Sequence, residues 1–234
     1  MKIGFDIDDT ITYCRGFELD NFIQWNKMVG RKQNISKEIY DRTEYDAKKR
    51  FHLSDDEFKS FNNFHFPKMV NEVPVMKRVR PLIVTLNKFG IETCIITRRD
   101  PNYDKSEYKG SIMVNDTKNW LRKNDIQISE LHFGCLDKYK SCKEFGVHLL
   151  FEDSPANINA VTKLIPVIVP AYPYNIFEVD LNENVAFTNI ENGYTDEVFD
   201  LMGKLLYLDE DEVMHMKSYF NNLNSNKIIV DDRT

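Results

Sequence analysis

The first dozen residues constrain this chain more than any other stretch. Ile3, Phe5 and Ile7 form a short apolar run that reads as a buried strand, and Asp6, Asp8 and Asp9 crowd its end. The end of a strand in a parallel sheet opens onto solvent, and ligands bind there. Unpaired charge at such a place is strongly penalised, and a divalent cation would satisfy Asp6 and Asp8 together. A lone Asp-x-Asp is more often a solvated acidic turn, so the choice depends on the residues that the later strands bring beside it.

The composition changes straight after the acidic loop. Over 13–74 the pattern is helical throughout. Phe17, Phe22, Trp25, Met28 and Val29 recur at helical spacing up to a stop at Gly30. Ser36 caps a helix through Tyr40, and a further segment runs past Tyr45 to Phe51. Ser54, with Glu57 three residues on, forms a capping box that opens a helix through Phe61 and Phe64. The stretch reads as a small helical bundle with most of its aromatic residues in a core of its own, and one or two left to line a pocket.

The chain then alternates. A helix over 75–88 leads to a strand over 91–96 that ends in Thr97-Arg98-Arg99, a hydroxyl followed by fixed positive charge and so a pattern suited to anchoring a phosphate. A helix over 112–123, a strand over 131–133 and a helix from Lys138 to Phe145 come next. The strand over 147–151 ends in Glu152-Asp153, and Pro155 opens a helix through Val161. Strands over 165–169 and 185–187 and helices over 194–206 and 210–223 finish the fold, with a frayed tail from Asn224. His132 is assigned to a strand face, because no second His or Cys stands at ligand spacing.

Such alternation predicts an α/β fold, a Rossmann-like three-layer core around a parallel sheet, with the strand ends on one edge. That edge gathers Asp6 and Asp8, Thr97, and Glu152 with Asp153, while Lys138 starts the helix before the fourth strand. Of Lys138, Lys140 and Lys143, only Lys138 stands on the turn that reaches this edge, since a helix turns about 100° per residue. An acidic cluster, a hydroxyl and a lysine are the parts needed for phosphoryl transfer through a carboxylate.

With 234 residues, 42% of them hydrophobic, the chain can bury one sizeable core and a small second module. A formal charge of −6 argues against a surface for nucleic-acid polymers. No leader and no membrane-spanning run is expected, and Cys14, Cys94, Cys135 and Cys142 show no Cys-x-x-Cys spacing, so they read as thiols of a cytoplasmic protein.

These stretches also carry a resemblance. Asp6-Ile7-Asp8-Asp9-Thr10-Ile11 resembles the first motif of the haloacid dehalogenase superfamily. Ile95-Ile96-Thr97 is similar to its second motif, Lys138 to its third, and Phe151-Glu152-Asp153 to its fourth, all in order. The longer phrases around Asp6 and around Asp153 resemble the 5′(3′)-deoxyribonucleotidase-like branch, which carries a helical cap where the insertion lies here. The resemblance implies a core of residues 1–12 and 75–234 with a cap of 13–74, and the activity of a phosphoric monoester hydrolase of 5′-nucleotidase type. Asp6 would be the nucleophile, forming an aspartyl-phosphate, and Asp8 the acid and base. Mg²⁺ would bind the Asp6 carboxylate, the Asp8 carbonyl and Asp153, with Glu152 in support. Thr97 and Lys138 would hold the phosphoryl oxygens, with Arg98 beside them. Glu152 stands where many relatives have Asp, and Arg98 where the best-known deoxyribonucleotidases have Ser. The expected substrate is a small phosphomonoester, nucleotides included, with no polymer or membrane partner and with a homodimer left open. A receiver-like signalling domain and a catalytically silent phosphate-binding protein are the alternatives that the same residues allow.

Overall fold

The computed structural model describes residues 1–31, 43–104 and 108–225. The helix expected from Ser36 to Tyr40 and the tail beyond 225 lie outside the described residues.

Six strands form one sheet in the order β3-β2-β1-β4-β5-β6, and every pairing is parallel. They are β1 (Lys2–Phe5), β2 (Glu92–Ile96), β3 (Glu130–His132), β4 (Leu149–Phe151), β5 (Val167–Pro170) and β6 (Val185–Thr188). Because side chains alternate along a strand, each central strand feeds two cores. Ile3, Phe5, Ile95, Leu149 and Phe151 face α4 (Val79–Lys88), α8 (Glu197–Leu206) and α9 (Glu210–Ser225) through Leu82, Phe199 and Phe220. Cys94, Ile96, Leu150 and Val167 face α6 (Lys138–Glu144) and α7 (Pro155–Val161) through Cys142, Ile158 and Val161. Gly4 lies on the second side, where a Cβ would come within 3.0 Å of the Leu150 side chain, so glycine lets the layers close. The expected α/β architecture is what the chain adopts.

The chain leaves the core at Thr12 and returns at Val75 through an antiparallel bridge. The Tyr13 amide donates to the Pro74 carbonyl at 3.0 Å and the Met76 amide to that of Ile11 at 2.9 Å. Between these points lie α1 (Cys14–Met28), α2 (Ala47–Arg50) and α3 (Asp55–Glu72). They share a small core of Phe22, Trp25, Phe51, Leu53 and Phe61, in which Phe22 stacks on Phe51 at 4.1 Å and meets Phe61 edge-on. The Ser54–Glu57 capping box is formed at the start of α3. That helix continues through Pro67 to Glu72 and packs on α5 (Gly110–Lys123), where the Trp120 indole donates to the Val73 carbonyl at 2.9 Å.

Some element ends shift by two or three residues, so that α8 starts at Glu197 rather than 194 and α9 runs to Ser225, past the tail expected to fray from Asn224. Two further differences have a clear cause. Met28 and Val29 are 64% and 44% exposed, because the last turn of α1 runs beyond the small aromatic core. The returning helix starts at Val79 rather than at 75, because Val75 is held in the bridge to Thr12. All four cysteines are buried free thiols. No helix among the described residues is long and apolar enough to cross a membrane.

Candidate active site

In strand order β1 is flanked by β2 and β4, and the connections run outward in both directions from there, which opens a crevice at the carboxyl ends of these strands. Asp6 sits at that point, its amide donating to the Phe151 carbonyl at 2.9 Å. Its carboxylate meets Lys138, whose Nζ lies 2.5 Å from Asp6 Oδ1 and 3.1 Å from Glu152 Oε2 and also donates to the Ile96 carbonyl. The Lys138 side chain is 1% exposed. Asp137 caps α6 by accepting the Lys140 amide at 3.1 Å, which fixes Lys138 as the first helical residue and turns it inward. Lys140, by contrast, is 80% exposed and paired with Asp137, and Lys143 is exposed on the far side.

Carboxylate oxygens of Asp6, Glu152 and Asp153 lie within 4.8 Å of one another. Glu152 Oε1 accepts the Ser154 amide at 3.1 Å, whereas Oε2, close to Lys138 but off line for a directed bond, is a buried oxygen without a hydrogen bond. Asp153 Oδ2 accepts from the Tyr174 hydroxyl at 2.6 Å and Oδ1 from Thr10 at 3.4 Å. Burial pushes the Asp6 carboxyl up to about 7; Lys138 opposes this, and Glu152 and Asp8 add to it. Asp153 is pushed well above the ordinary range by burial and then by Glu152, Asp9 and Asp6. Lys138 keeps its charge although burial works against it, because Asp6 and Glu152 hold its pKa above the usual lysine value.

The other two acidic residues have arginine partners. Asp9 takes a left-handed backbone (φ 55°), which aims its carboxylate at the start of α1, where it accepts the Arg15 amide at 3.0 Å and meets the Arg15 Nε at 3.3 Å. The Arg15 guanidinium lies over the Tyr174 ring at 3.8 Å. Asp8 Oδ1 receives Nη2 of buried Arg99 at 2.6 Å. The sequence marks Arg99 only as part of a phosphate anchor after β2, whereas the structure sets it on Asp8 and outside the cavity lining; Arg15 and Tyr174 are not singled out by the sequence. Alternation along an extended chain would have pointed to Arg99, two residues beyond Thr97, but nothing local marks the other two.

A cavity of about 350 Å³ opens above the carboxylates, lined by Asp6, Asp8 and Thr97 below and by Tyr45, Phe58, His65 and Met69 above. Thr97 is buried at the end of β2, while Arg98 is exposed and lines the mouth. His132 stays outside, stacked on Phe145 at 3.6 Å. His65 is 4% exposed, and burial pulls its imidazole down to about 4 from 6.5. The folded value lies below the unfolded one, so the contribution is complete above pH 6.5 and is lost as pH falls towards 4. Between pH 7 and pH 4.5, His65→Phe is expected to lose about 2–3 kcal/mol less stability than the wild type. Urea midpoints at the two pH values measure this, and equal losses would show that the imidazole is not buried neutral.

The donor set at the crevice suits a hard cation, being all oxygen. Fully ionised, the five carboxylates (Asp6, Asp8, Asp9, Glu152, Asp153) would outnumber by two the cations paired with them among the described residues (Lys138, Arg99, Arg15). A divalent ion matches that deficit, and the orphaned Glu152 oxygen is consistent with it.

An all-parallel sheet with an acidic crevice at its switch point and a helical insertion behind the first strand is the haloacid dehalogenase-like hydrolase fold, as the four motifs led us to expect. A haloacid dehalogenase-like hydrolase from Streptococcus pneumoniae superposes with a TM-score of 0.59 over 86% of this chain and 97% of its own, at 12% identity. A predicted phosphatase from Clostridium acetobutylicum gives 0.58 over 88% and 98%, also at 12% identity. In sequence, the Bacillus subtilis protein named "Putative nucleotidase YqfW" is 25% identical over 185 residues, 78% of this chain and 86% of that protein. No family model matches the chain.

Proposed function

We propose that this protein is a magnesium-dependent phosphatase that hydrolyses a small phosphomonoester through an aspartyl-phosphate on Asp6. The observation that carries the reading is the pairing, at one cavity floor, of Asp6 on its buried lysine with Asp8, whose side chain is 37% exposed. Asp6 attacks phosphorus while Asp8 gives its proton to the departing alcohol. Asp8 then takes a proton from the water that attacks the phosphoryl group, which returns Asp6 and releases inorganic phosphate. Thr97 and Lys138 hold phosphoryl oxygens, and Arg98 at the cavity mouth adds positive charge. Magnesium held by Asp6, the Asp8 carbonyl and Asp153, with Glu152 in support, would draw negative charge off the phosphoryl oxygens.

A cavity of about 350 Å³ suits a small molecule. The rings of Tyr45 and Phe58 in its upper wall suit a planar group, and the name of the Bacillus relative makes a nucleotide one of the candidates. We assign this upper wall, carried by the insertion over 13–74, to a selecting cap. The test is a panel of phosphomonoesters assayed with and without Mg²⁺. Metal-dependent phosphate release from at least one member is expected; inactivity on every member would favour a silent phosphate-binding protein. Phe58→Ala is expected to change the ranking across that panel by about tenfold, and an unchanged ranking would remove the residue from the selecting wall.

The metal reading has its own test. Among the described residues, Asp153 alone of the five carboxylates has no cation within ion-pair distance, whereas Glu152 shares Lys138. Asp153→Asn is therefore expected to weaken Mg²⁺ binding by about 100-fold and Glu152→Gln by about tenfold. Mg²⁺ at 100 times its Kd adds about 2.7 kcal/mol, so the wild-type melting temperature should rise by about 5–10 °C. Without metal, Asp153→Asn should melt no lower than the wild type, because it removes a buried carboxyl that crowds Glu152 and Asp6 and has no cation partner among the described residues. A thermal titration in the reverse order would make Glu152 the principal ligand.

A further inference from the structure

The acid–base assignment leaves open which oxygen of Asp8 faces the leaving group and what holds it there. The geometry points to Arg99 as a positioning residue that clamps Asp8 Oδ1 so that Oδ2 is presented to the leaving-group oxygen, an inference that rests on the phosphatase reading. Arg99 is 5% exposed and does not line the cavity, so it is placed to hold Asp8 rather than the phosphoryl group. Its Nη2 donates to Asp8 Oδ1 at 2.6 Å, and the Cys14 thiol approaches the same oxygen at 3.5 Å. No described residue bonds Asp8 Oδ2, although the side chain borders the cavity.

The guanidinium is itself held from behind. Nη1 donates to Thr117 Oγ1 at 2.8 Å, and the Thr117 hydroxyl donates to the Met113 carbonyl at 2.7 Å within α5. The Arg99 amide also donates to Thr97 Oγ1 at 3.3 Å. A planar fork with Nη1 anchored on Thr117 fixes the direction of Nη2 and with it the position of Asp8 Oδ1, which a lysine cannot do. In the first half-reaction the Asp6–phosphorus bond forms as the bond from phosphorus to the ester oxygen breaks, and the proton on Oδ2 passes to that oxygen. In the second, water attacks phosphorus, its proton passes to Oδ2, and the Asp6–phosphorus bond breaks to give inorganic phosphate.

Leaving-group chemistry separates this role from a structural one. p-Nitrophenolate departs without a proton, whereas phenolate, with a much higher pKa, needs one; the two esters present the same ring. We would measure kcat/KM, which covers only the steps through loss of the leaving group, for p-nitrophenyl and phenyl phosphate. Arg99→Met is expected to lower the phenyl value by about 100-fold and the p-nitrophenyl value by less than about threefold. Asp8→Asn should show the same split, and Arg99→Lys should recover about tenfold on the phenyl ester. Inhibition by inorganic phosphate should stay within about twofold of the wild type, since Arg99 does not bind the phosphoryl group.

Thr117→Val loosens the clamp from behind and is expected to lower only the phenyl value, by about fivefold. It carries the test if Arg99→Met does not fold, as circular dichroism will show. Equal losses on both esters, in either variant, would overturn the inference in favour of a structural role. Weaker inhibition by phosphate would overturn it in favour of phosphate binding. A wild type inactive on both esters and on the wider panel would withdraw the phosphatase reading and this inference with it; an active wild type with uniform losses would remove the inference alone.

Discussion

Asp6→Asn is expected to abolish turnover while leaving the fold intact. The amide is isosteric with the carboxylate, and its oxygen can still accept from Lys138. The backbone bond from residue 6 to the Phe151 carbonyl, which ties the end of β1 to β4, is untouched. What is lost is the oxygen that we propose attacks phosphorus. An amide is a far poorer nucleophile than a carboxylate, and without the covalent step the reaction has no second route on this side of the phosphoryl group. We expect kcat to fall by about three orders of magnitude or more in a phosphate-release assay, and acid-quenched protein to carry no phosphate from a labelled substrate. The metal-free melting temperature should not fall, because the substitution thins a cluster of three carboxylates that share one cation among the described residues, and Lys138 keeps Glu152 as its partner. Retention of more than a few per cent of wild-type turnover would sink the assignment of Asp6 as nucleophile.

The range of each interaction decides whether the sequence disclosed it or withheld it. Ile3, Phe5 and Ile95 announce buried strands through local patterning, and the Ser54–Glu57 box announces the start of α3, because each signal lies within a few residues. Alternation of helix and strand then brings Asp6, Thr97, Lys138 and Asp153 to one edge without any knowledge of side-chain contacts. The arginines obey no such rule. Arg99 is 91 residues from Asp8, and adjacent Arg98 has the same composition signal but faces the cavity mouth. Only the direction of the chain after β2 distinguishes them. Tyr174 reaches Asp153 across 21 residues from a loop with no periodicity, so no local signal discloses the hydroxyl that this buried carboxylate accepts from. Met28 and Val29 err in the other direction. Helical spacing assigns them to an apolar face, but that face has a partner only where Phe51 and Phe61 stand opposite it. Periodicity describes a face and leaves open whether anything covers it.

Lys138→Ala is expected to be the most damaging substitution outside Asp6 and Asp8, for reasons that can be separated by experiment. Lys138 is the only cation within ion-pair distance of either Asp6 or Glu152 among the described residues, and it also donates to the Ile96 carbonyl beside Thr97. One side chain therefore fixes Asp6, balances the acidic pair and links the ends of β1, β2 and β4. Its removal leaves two buried carboxylates facing each other, a loss of about 3–5 kcal/mol for a broken buried ion pair. Saturating Mg²⁺ should restore part of that stability, because the ion neutralises the same carboxylates, but it cannot restore the donor to the phosphoryl oxygens. We therefore expect kcat measured in saturating Mg²⁺ to fall by about two orders of magnitude or more, as for the loss of one oxyanion donor. Lys138→Met, which keeps the bulk without the charge, should show the same fall and so exclude a cavity effect. Lys140→Ala and Lys143→Ala should stay near wild type, since both side chains point to solvent. A near-normal kcat for Lys138→Ala in protein that melts cooperatively would show that the buried ammonium serves the fold alone, with the phosphoryl charge held by Thr97, Arg98 and the metal.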